Sequence, residues 1–157
     1  MDPDVDITRA TEQPSAIAVT SVRLDRILCA GTFSPSSRGV IEWAASLAAC
    51  CGAELRLFHA LNRQTGDHRP DAGAPASEDA LNRLFRLARH LPGRLRLSAA
   101  VADGDVADEI VRHGRLLQAD VIVVGMNSED GTISPLTRRI ADGSRCPLML
   151  VPQGVFR

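Results

Sequence analysis

The sequence has few aromatic residues and almost no net charge. It contains no tyrosine, one tryptophan and four phenylalanines, and its formal charge is −1. Proteins that bind single-stranded nucleic acid use aromatic side chains for base stacking and basic side chains for the phosphates. We therefore expect neither nucleic acid nor an anionic membrane as a partner.

Long apolar runs are also missing, and we expect no signal peptide. No run approaches the ~18 residues that a membrane span needs. The first residues are polar and acidic, without the apolar core of a signal peptide. We therefore expect a cytoplasmic protein.

The cysteines and histidines show no spacing typical of a metal or redox site. The four cysteines form no Cys-x-x-Cys pair, and the adjacent Cys50 and Cys51 argue against a disulfide framework. Cys29 and Cys146 lie beside or within apolar segments and are interpreted as small buried hydrophobic residues. We expect no metal ion.

Apolar segments with strand-like and helix-like periodicity alternate along the chain. The unbroken run Val121–Val124 is typical of a strand buried on both faces of a parallel sheet. The alternation predicts a three-layer α/β/α sandwich with a five-stranded parallel sheet. The predicted strands are 26–31, 54–61, 95–101, 121–124 and 147–151, and the predicted helices are 37–51, 77–91, 106–117 and 135–141.

The length of 157 residues favours a single domain. We place it at residues 25–152, after a polar leader of residues 1–24 and before a tail of residues 153–157. Within the leader, Ala16–Leu24 is either a short edge strand or disordered. The segment Asn62–Ala76 is predicted to be a long loop.

The stretch from Asp120 to Val151 holds the most informative pattern. A buried strand ends at Gly125, a polar loop follows, and Ser134-Pro135 is typical of a helix start. Backbone amides and the helix dipole converge at such a junction, which is where α/β proteins hold anionic ligands.

Three segments together resemble the universal stress protein family. RILCAGTFSPSSRGVIEWAASLAACCGAELRLFHAL is similar to the family's first strand, turn, helix and second strand. VADGDVADEIVRHGRLLQADVIVVG is similar to its third strand, glycine turn, helix and fourth strand, and CPLMLVP to its closing segment. The resemblance implies the strand order 3-2-1-4-5 and a ligand cleft at the ends of strands one and four.

The resemblance also implies a candidate ATP site that departs from the family pattern. Thr32 stands where ATP-binding members carry an adenine-contacting Asp, and Phe33 follows where a Gly is usual. Gly125 matches the first glycine of the family's phosphate loop, but Ser128 stands at the second glycine and Ser134-Pro135 at the Gly-Ser pair. The candidate ligand contacts are Thr32, Gly125, Ser128, Gly131 and Ser134.

Charge in this loop disfavours a phosphate. Glu129 and Asp130 lie in its middle, and Pro135 removes one amide from the helix start. Arg138 and Arg139 either offset this charge toward a ligand or pair with the two acids. Gly125 and Gly131 are equally well explained as turn residues, and Thr32 is either a wall of the cleft or a strand end.

A second group of polar residues follows strand one. Ser34, Ser36 and Ser37 could meet a phosphate at the next helix start, although helix capping explains them without a ligand. No Walker loop or nucleophile elbow is present, and we expect no enzyme activity.

The resemblance, taken together with the altered loop, implies a non-enzymatic stress-response or regulatory protein that acts by homodimerisation and partner contact, with weak or absent ATP binding. The family commonly pairs its last strand across a dimer, here Leu148, Met149, Leu150 and Val151. The alternative is a sensor that binds ATP or AMP in the cleft at the ends of strands one and four.

Overall fold

The computed structural model describes residues 21–31, 33–34, 36–62, 76–126 and 130–152. Strands and helices alternate strictly through these residues. They are β1 Arg26–Ala30, α1 Ser37–Cys51, β2 Glu54–Leu61, α2 Ala76–Ala88, β3 Arg96–Asp103, α3 Val106–Leu117, β4 Val121–Met126, α4 Pro135–Gly143 and β5 Leu148–Pro152.

The strands form one parallel sheet in the order β3-β2-β1-β4-β5. The predicted fold class and strand order are therefore confirmed. At the centre, β1 pairs with β4 from Ile27 opposite Val121 to Ala30 opposite Val124. The strand order reverses at this pair: β2 and β3 lie on the β1 side of the sheet, and β5 lies on the β4 side.

Both faces of the sheet are covered by helices, as the unbroken apolar strands require. Ile27 and Cys29 of β1 face α1 and α2, whereas Leu28 and Ala30 face α3 and α4. Cys29 is buried as predicted, and burial raises the pKa of its thiol to about 12. It therefore behaves as a hydrophobic residue, whereas Cys146 is only partly buried.

Capping residues set most of the helix boundaries. Gly52 ends α1 with a positive φ of 65°, and Asp105 caps α3 by accepting a hydrogen bond from the Asp108 amide. The bounds of α1, β2 and α3 accordingly match the predictions.

The other elements differ from their predicted bounds by one to three residues: β1 ends at Ala30, α2 spans Ala76–Ala88, β3 spans Arg96–Asp103, α4 ends at Gly143 and β5 spans Leu148–Pro152. The second helix ends at Ala88 rather than Leu91, and turns occupy the chain before β3. Strand β4 continues through Gly125 to Met126, because these residues pair with Val151 and Pro152 of β5. Residues 21–24 form no strand, and residues 16–20 and 63–75, which belong to the predicted leader and loop, lie outside the described residues.

A carboxylate joins β1 and β4 at the amino-terminal edge of the sheet. Asp120 Oδ2 accepts hydrogen bonds from the amides of Asp25 at 2.7 Å and Arg26 at 2.9 Å. The Asp120 amide in turn donates to the Arg26 carbonyl at 2.8 Å. The starts of the two central strands are thus held together by three hydrogen bonds.

Helix α3 approaches the sheet closely at Gly114. A Cβ atom added there would lie 2.9 Å from Ile122 Cδ1 and 3.9 Å from Leu28 Cδ2, both side chains of the buried sheet. The absence of a side chain at this position lets the helix lie against β1 and β4.

Replacing Gly114 with valine should therefore destabilise the protein. Overpacking of a well-filled core costs about 1–3 kcal/mol, and urea unfolding would measure the loss. The control is Leu116→Val on the same helix, where the side chain is 66% exposed. Equal stabilities of the two variants would contradict the close approach.

Candidate ligand cleft

A cavity of about 670 Å³ opens at the carboxyl ends of β1, β2 and β4. Helices α1 and α2 form its first wall and helices α3 and α4 its second wall, so the cavity lies where the two helical layers separate. Its size is within the usual range of small-molecule sites. Much of its lining is apolar, including Val40, Val106, Ile110, Val124, Leu136 and Ile140.

The amino terminus of α4 borders the second wall but uses its own hydrogen-bonding groups. Ser134 caps the helix: its Oγ accepts from the Thr137 amide at 3.1 Å, and its carbonyl accepts from the Arg138 amide at 3.0 Å. Pro135, the first helical residue, has no amide hydrogen. Of the first-turn amides, only that of Leu136 has no acceptor among the described residues, so this helix start offers few donors to an anion.

On the second wall, Arg139 is paired with two carboxylates. The Arg139 guanidinium donates to both Asp105 carboxylate oxygens, at 2.9 and 3.2 Å, and to Asp108 at 3.3 Å. The hydrogen bonds from Arg139 hold the pKa of Asp105 below its ordinary value, and Asp105 raises the pKa of Arg139. Two carboxylates therefore surround one cation, and Arg139 does not pair with Asp130 as one of the alternatives required.

Local hydrogen bonds hold residues 130–132, the described end of the loop before α4. Asp130 accepts from the Thr132 hydroxyl at 2.7 Å and from the Thr132 amide at 3.1 Å, and these bonds lower the pKa of the Asp130 carboxyl. Gly131 has a φ of 74°, a conformation that favours glycine. A structural role as a turn residue thus accounts for Gly131.

Hydroxyl groups surround the start of α1 on the first wall. Ser34 Oγ lies 2.8 Å from Ser36 Oγ and 3.2 Å from Ser37 Oγ, and all three side chains line the cavity. Ser36 is the N-cap residue but forms no side-chain capping bond. The three hydroxyls form a polar patch beside the apolar floor.

Three stacked side chains complete the first wall. The Phe33 ring lies 4.2 Å from the His59 ring, centroid to centroid, and the Arg83 guanidinium carbon lies 4.3 Å from the Phe33 centroid. His59 Nδ1 donates to the Gly31 carbonyl at 2.8 Å, which fixes the imidazole at the end of β2. We refer to Arg83, Phe33 and His59 as the aromatic stack.

The predicted site residues are distributed unevenly around this cavity. Gly125 and Ser134 line it, on the ends of β4 and α4 respectively. Gly131 is not among its lining residues, and Thr32 and Ser128 lie outside the described residues. Of the three candidates that the structure describes, two therefore line the cavity.

Residue patterns alone do not identify the stack or the Asp105–Arg139 pair as cleft residues. Phe33 stands where the family usually has glycine, and the histidines show no metal-ligand spacing, so neither pattern points to a contact between Phe33 and His59. A usable signal was the position of His59 at the end of a largely apolar strand. Arg83 carried no such signal, since it belongs to an ordinary polar helix pattern.

Two absences hold for the residues that the structure describes. No three His, Cys, Asp or Glu side chains come together there as potential metal ligands. No helix there is long and apolar enough to cross a membrane.

A parallel sheet covered on both faces, with a cavity where the strand order reverses, defines the doubly wound α/β class that binds ligands at such a switch point. The model of the universal stress protein family matches residues 23–152, and the chain belongs to this family. A comparison with curated proteins gave no match.

Solved structures of the same family share the fold. The chain is 16% identical to the universal stress protein UspA from Lactobacillus plantarum, with a TM-score of 0.63 over 83% of this chain and 99% of that one. It is 17% identical to a universal stress protein from Archaeoglobus fulgidus in complex with dAMP, with a TM-score of 0.60 over 83% of this chain and 98% of that one. A universal stress protein in complex with cAMP is 19% identical, with a TM-score of 0.59 over 84% and 99% of the two chains.

The Arg139→Gln substitution should raise the pKa of Asp105 toward the ordinary carboxyl value of about 3.9. The reason is that Arg139 supplies the largest cause of the lowered pKa. Carbon-13 NMR titration of the side-chain carboxyls measures the change, and Arg138→Gln on the neighbouring exposed residue is the control.

The sign of the stability effect follows from the same shift. A carboxyl whose folded pKa is lowered stabilises the fold above its unfolded pKa, and this contribution is lost as the pH falls through the folded pKa. Arg139→Gln should therefore lower the stability at neutral pH and leave it unchanged in strong acid. An unshifted Asp105 titration in this variant would show that the pair is not formed.

Proposed function

We propose that this universal stress protein is a non-enzymatic stress-response regulator that acts in the cytoplasm as a homodimer and by partner contact, with weak or absent ATP binding. The observation that carries this proposal is that the described groups of the second wall are engaged with one another rather than available to a ligand. Its helix start uses its own amides, and its arginine is held by Asp105 and Asp108. A triphosphate needs convergent donors and uncompensated positive charge, and the described part of this wall supplies little of either.

Two cysteines support the cytoplasmic part of the proposal. The exposed thiols of Cys50 and Cys51 are in keeping with a reducing compartment.

Strand β5 supports the homodimer. It is an edge strand of the described sheet, and Leu148, Met149 and Leu150 are each only partly buried. An apolar open edge is an aggregation hazard unless another strand covers it. Pairing of β5 with its copy in a second molecule would satisfy the edge and form a symmetric contact.

The hydrogen-bond pattern of β5 identifies the groups that such pairing would use. The Ile122 amide of β4 donates to the Pro147 carbonyl at 3.0 Å. Because hydrogen-bonding groups alternate along a strand, the amides of Met149 and Val151 face β4, and those of Leu148 and Leu150 face outward.

The Leu150→Pro substitution should therefore abolish the dimer and leave the sheet intact. Proline removes one outward amide and is tolerated on edge strands. Sedimentation velocity at micromolar concentration should show a dimer for the natural chain and a monomer for the variant. Leu150→Ala, which retains the amide, should remain dimeric. A natural chain that sediments as a stable monomer would rule out this mode of action.

Calorimetry should show no saturable binding of magnesium ATP below ~1 mM, which corresponds to a binding free energy weaker than about −4.1 kcal/mol. Asp105→Asn should strengthen binding about tenfold, equivalent to ~1.4 kcal/mol, because it releases Arg139 toward the cavity and retains a capping side chain. The control is Asp142→Asn, an exposed residue of α4 outside the cavity lining. Micromolar ATP affinity in the natural chain would overturn this part of the proposal.

The second candidate function is a sensor of ATP or AMP in the same cleft. It is favoured by the cavity volume of about 670 Å³. It is also favoured by the Archaeoglobus fulgidus relative, which is described in complex with dAMP. AMP carries fewer negative charges than ATP, so it needs fewer hydrogen-bond donors and less positive charge from the second wall. Saturable micromolar binding of AMP, with ATP weaker, would support this candidate over the first.

A further inference from the structure

We propose that the cleft binds a small organic acid, namely a single carboxylate on an aromatic or branched apolar body, with the carboxylate at Arg83. The inference rests on the proposed function in one respect, since it takes the cleft to be a regulatory ligand site that ATP does not fill. It assigns the charged end of the ligand to the first wall, opposite the start of α4.

Arg83 is the cation of the described cleft that a ligand can use. Its side chain is half-buried and lines the cavity, and its guanidinium stacks on Phe33. It forms no ion pair with a carboxylate among the described residues. The planar guanidinium carries N–H donors in a fixed fork, which matches a bidentate carboxylate.

The second wall repels the same group. Asp105 and Asp108 share the single positive charge of Arg139, so this cluster carries a net charge of one negative unit. An anionic ligand is therefore driven away from α3 and α4 and toward Arg83. The difference in charge between the two walls thus orients the ligand with its carboxylate toward Arg83.

The space between the two walls suits an apolar body. Val124, Ile110 and Ile140 line the middle of the cavity, and Leu136, which is 39% exposed, lines the same cavity on α4. Polar groups of a ligand placed directly against these apolar side chains would stay unpaired. An aromatic or branched hydrocarbon would bury them, at about 25 cal/mol for each Å² removed from water.

A matched pair of probes tests the proposal. 1-Naphthaleneacetate and 1-naphthaleneacetamide have the same aromatic body, but only the first carries a negative charge. Calorimetry on the full chain should show saturable binding of the acid with micromolar affinity and at least about tenfold weaker binding of the amide, equivalent to ~1.4 kcal/mol. The Gly31 and Gly125 amide resonances should shift on addition of the acid.

The Arg83→Gln substitution should lower the affinity for the acid about tenfold and leave that for the amide unchanged. Arg83→Lys retains the charge without the planar donor set. Its affinity for the acid should therefore lie between that of the natural chain and that of Arg83→Gln. The matched control is Arg86→Gln, one turn further along α2, where the side chain is exposed and outside the cavity lining. Circular dichroism should show that all three variants remain folded.

Three results would overturn the inference. These are no saturable binding of the acid below ~1 mM, equal affinities for acid and amide, or an acid affinity that Arg83→Gln does not change. The proposed function is tested separately by ATP binding and by the dimer. A chain that is dimeric and indifferent to ATP but does not bind the acid would contradict this inference alone.

Discussion

The pairing of β1 with β4 is the constraint on which the other features depend. These strands are buried on both faces, so each must be covered by a helical layer on either side. Helices that precede the reversal of strand order cover one face, and helices that follow it cover the other. The layers separate at the carboxyl ends of the pair, and the cavity is a direct consequence.

Charge is distributed unequally between the two walls of this cavity. On the second wall, Arg139 is held by carboxylates of the neighbouring helix, so its charge serves the contact between α3 and α4. On the first wall, Arg83 stacks on an aromatic ring. Two arginines at one cleft thus have different roles, because their nearest partners differ.

The sequence was a reliable guide where local chemistry determines the structure. Gly52 and Asp105 fixed helix ends through backbone conformation and capping, and the apolar run before Gly125 identified a central strand. Predictions failed where distant segments decide. Strand β4 extends through Gly125 because β5 pairs with it, although glycine is a poor strand former.

The site was less predictable for the same reason. Gly125 and Ser134 could be placed at the cleft because both lie at junctions of regular structure. The stack joins Arg83 to Phe33, residues on segments far apart in the chain that only the folded sheet brings together. The pair of Arg139 with Asp105 likewise depends on the packing of α4 against α3. Neither contact leaves a periodic pattern in the sequence.

The Asp120 carboxylate makes the two edges of the central strand pair different from each other. It bonds two amides at the start of β1, while the carboxyl ends of the same strands border a cavity. The amino-terminal edge of this strand pair is therefore closed by a side chain, and the carboxyl edge is where the two strands leave room for a ligand.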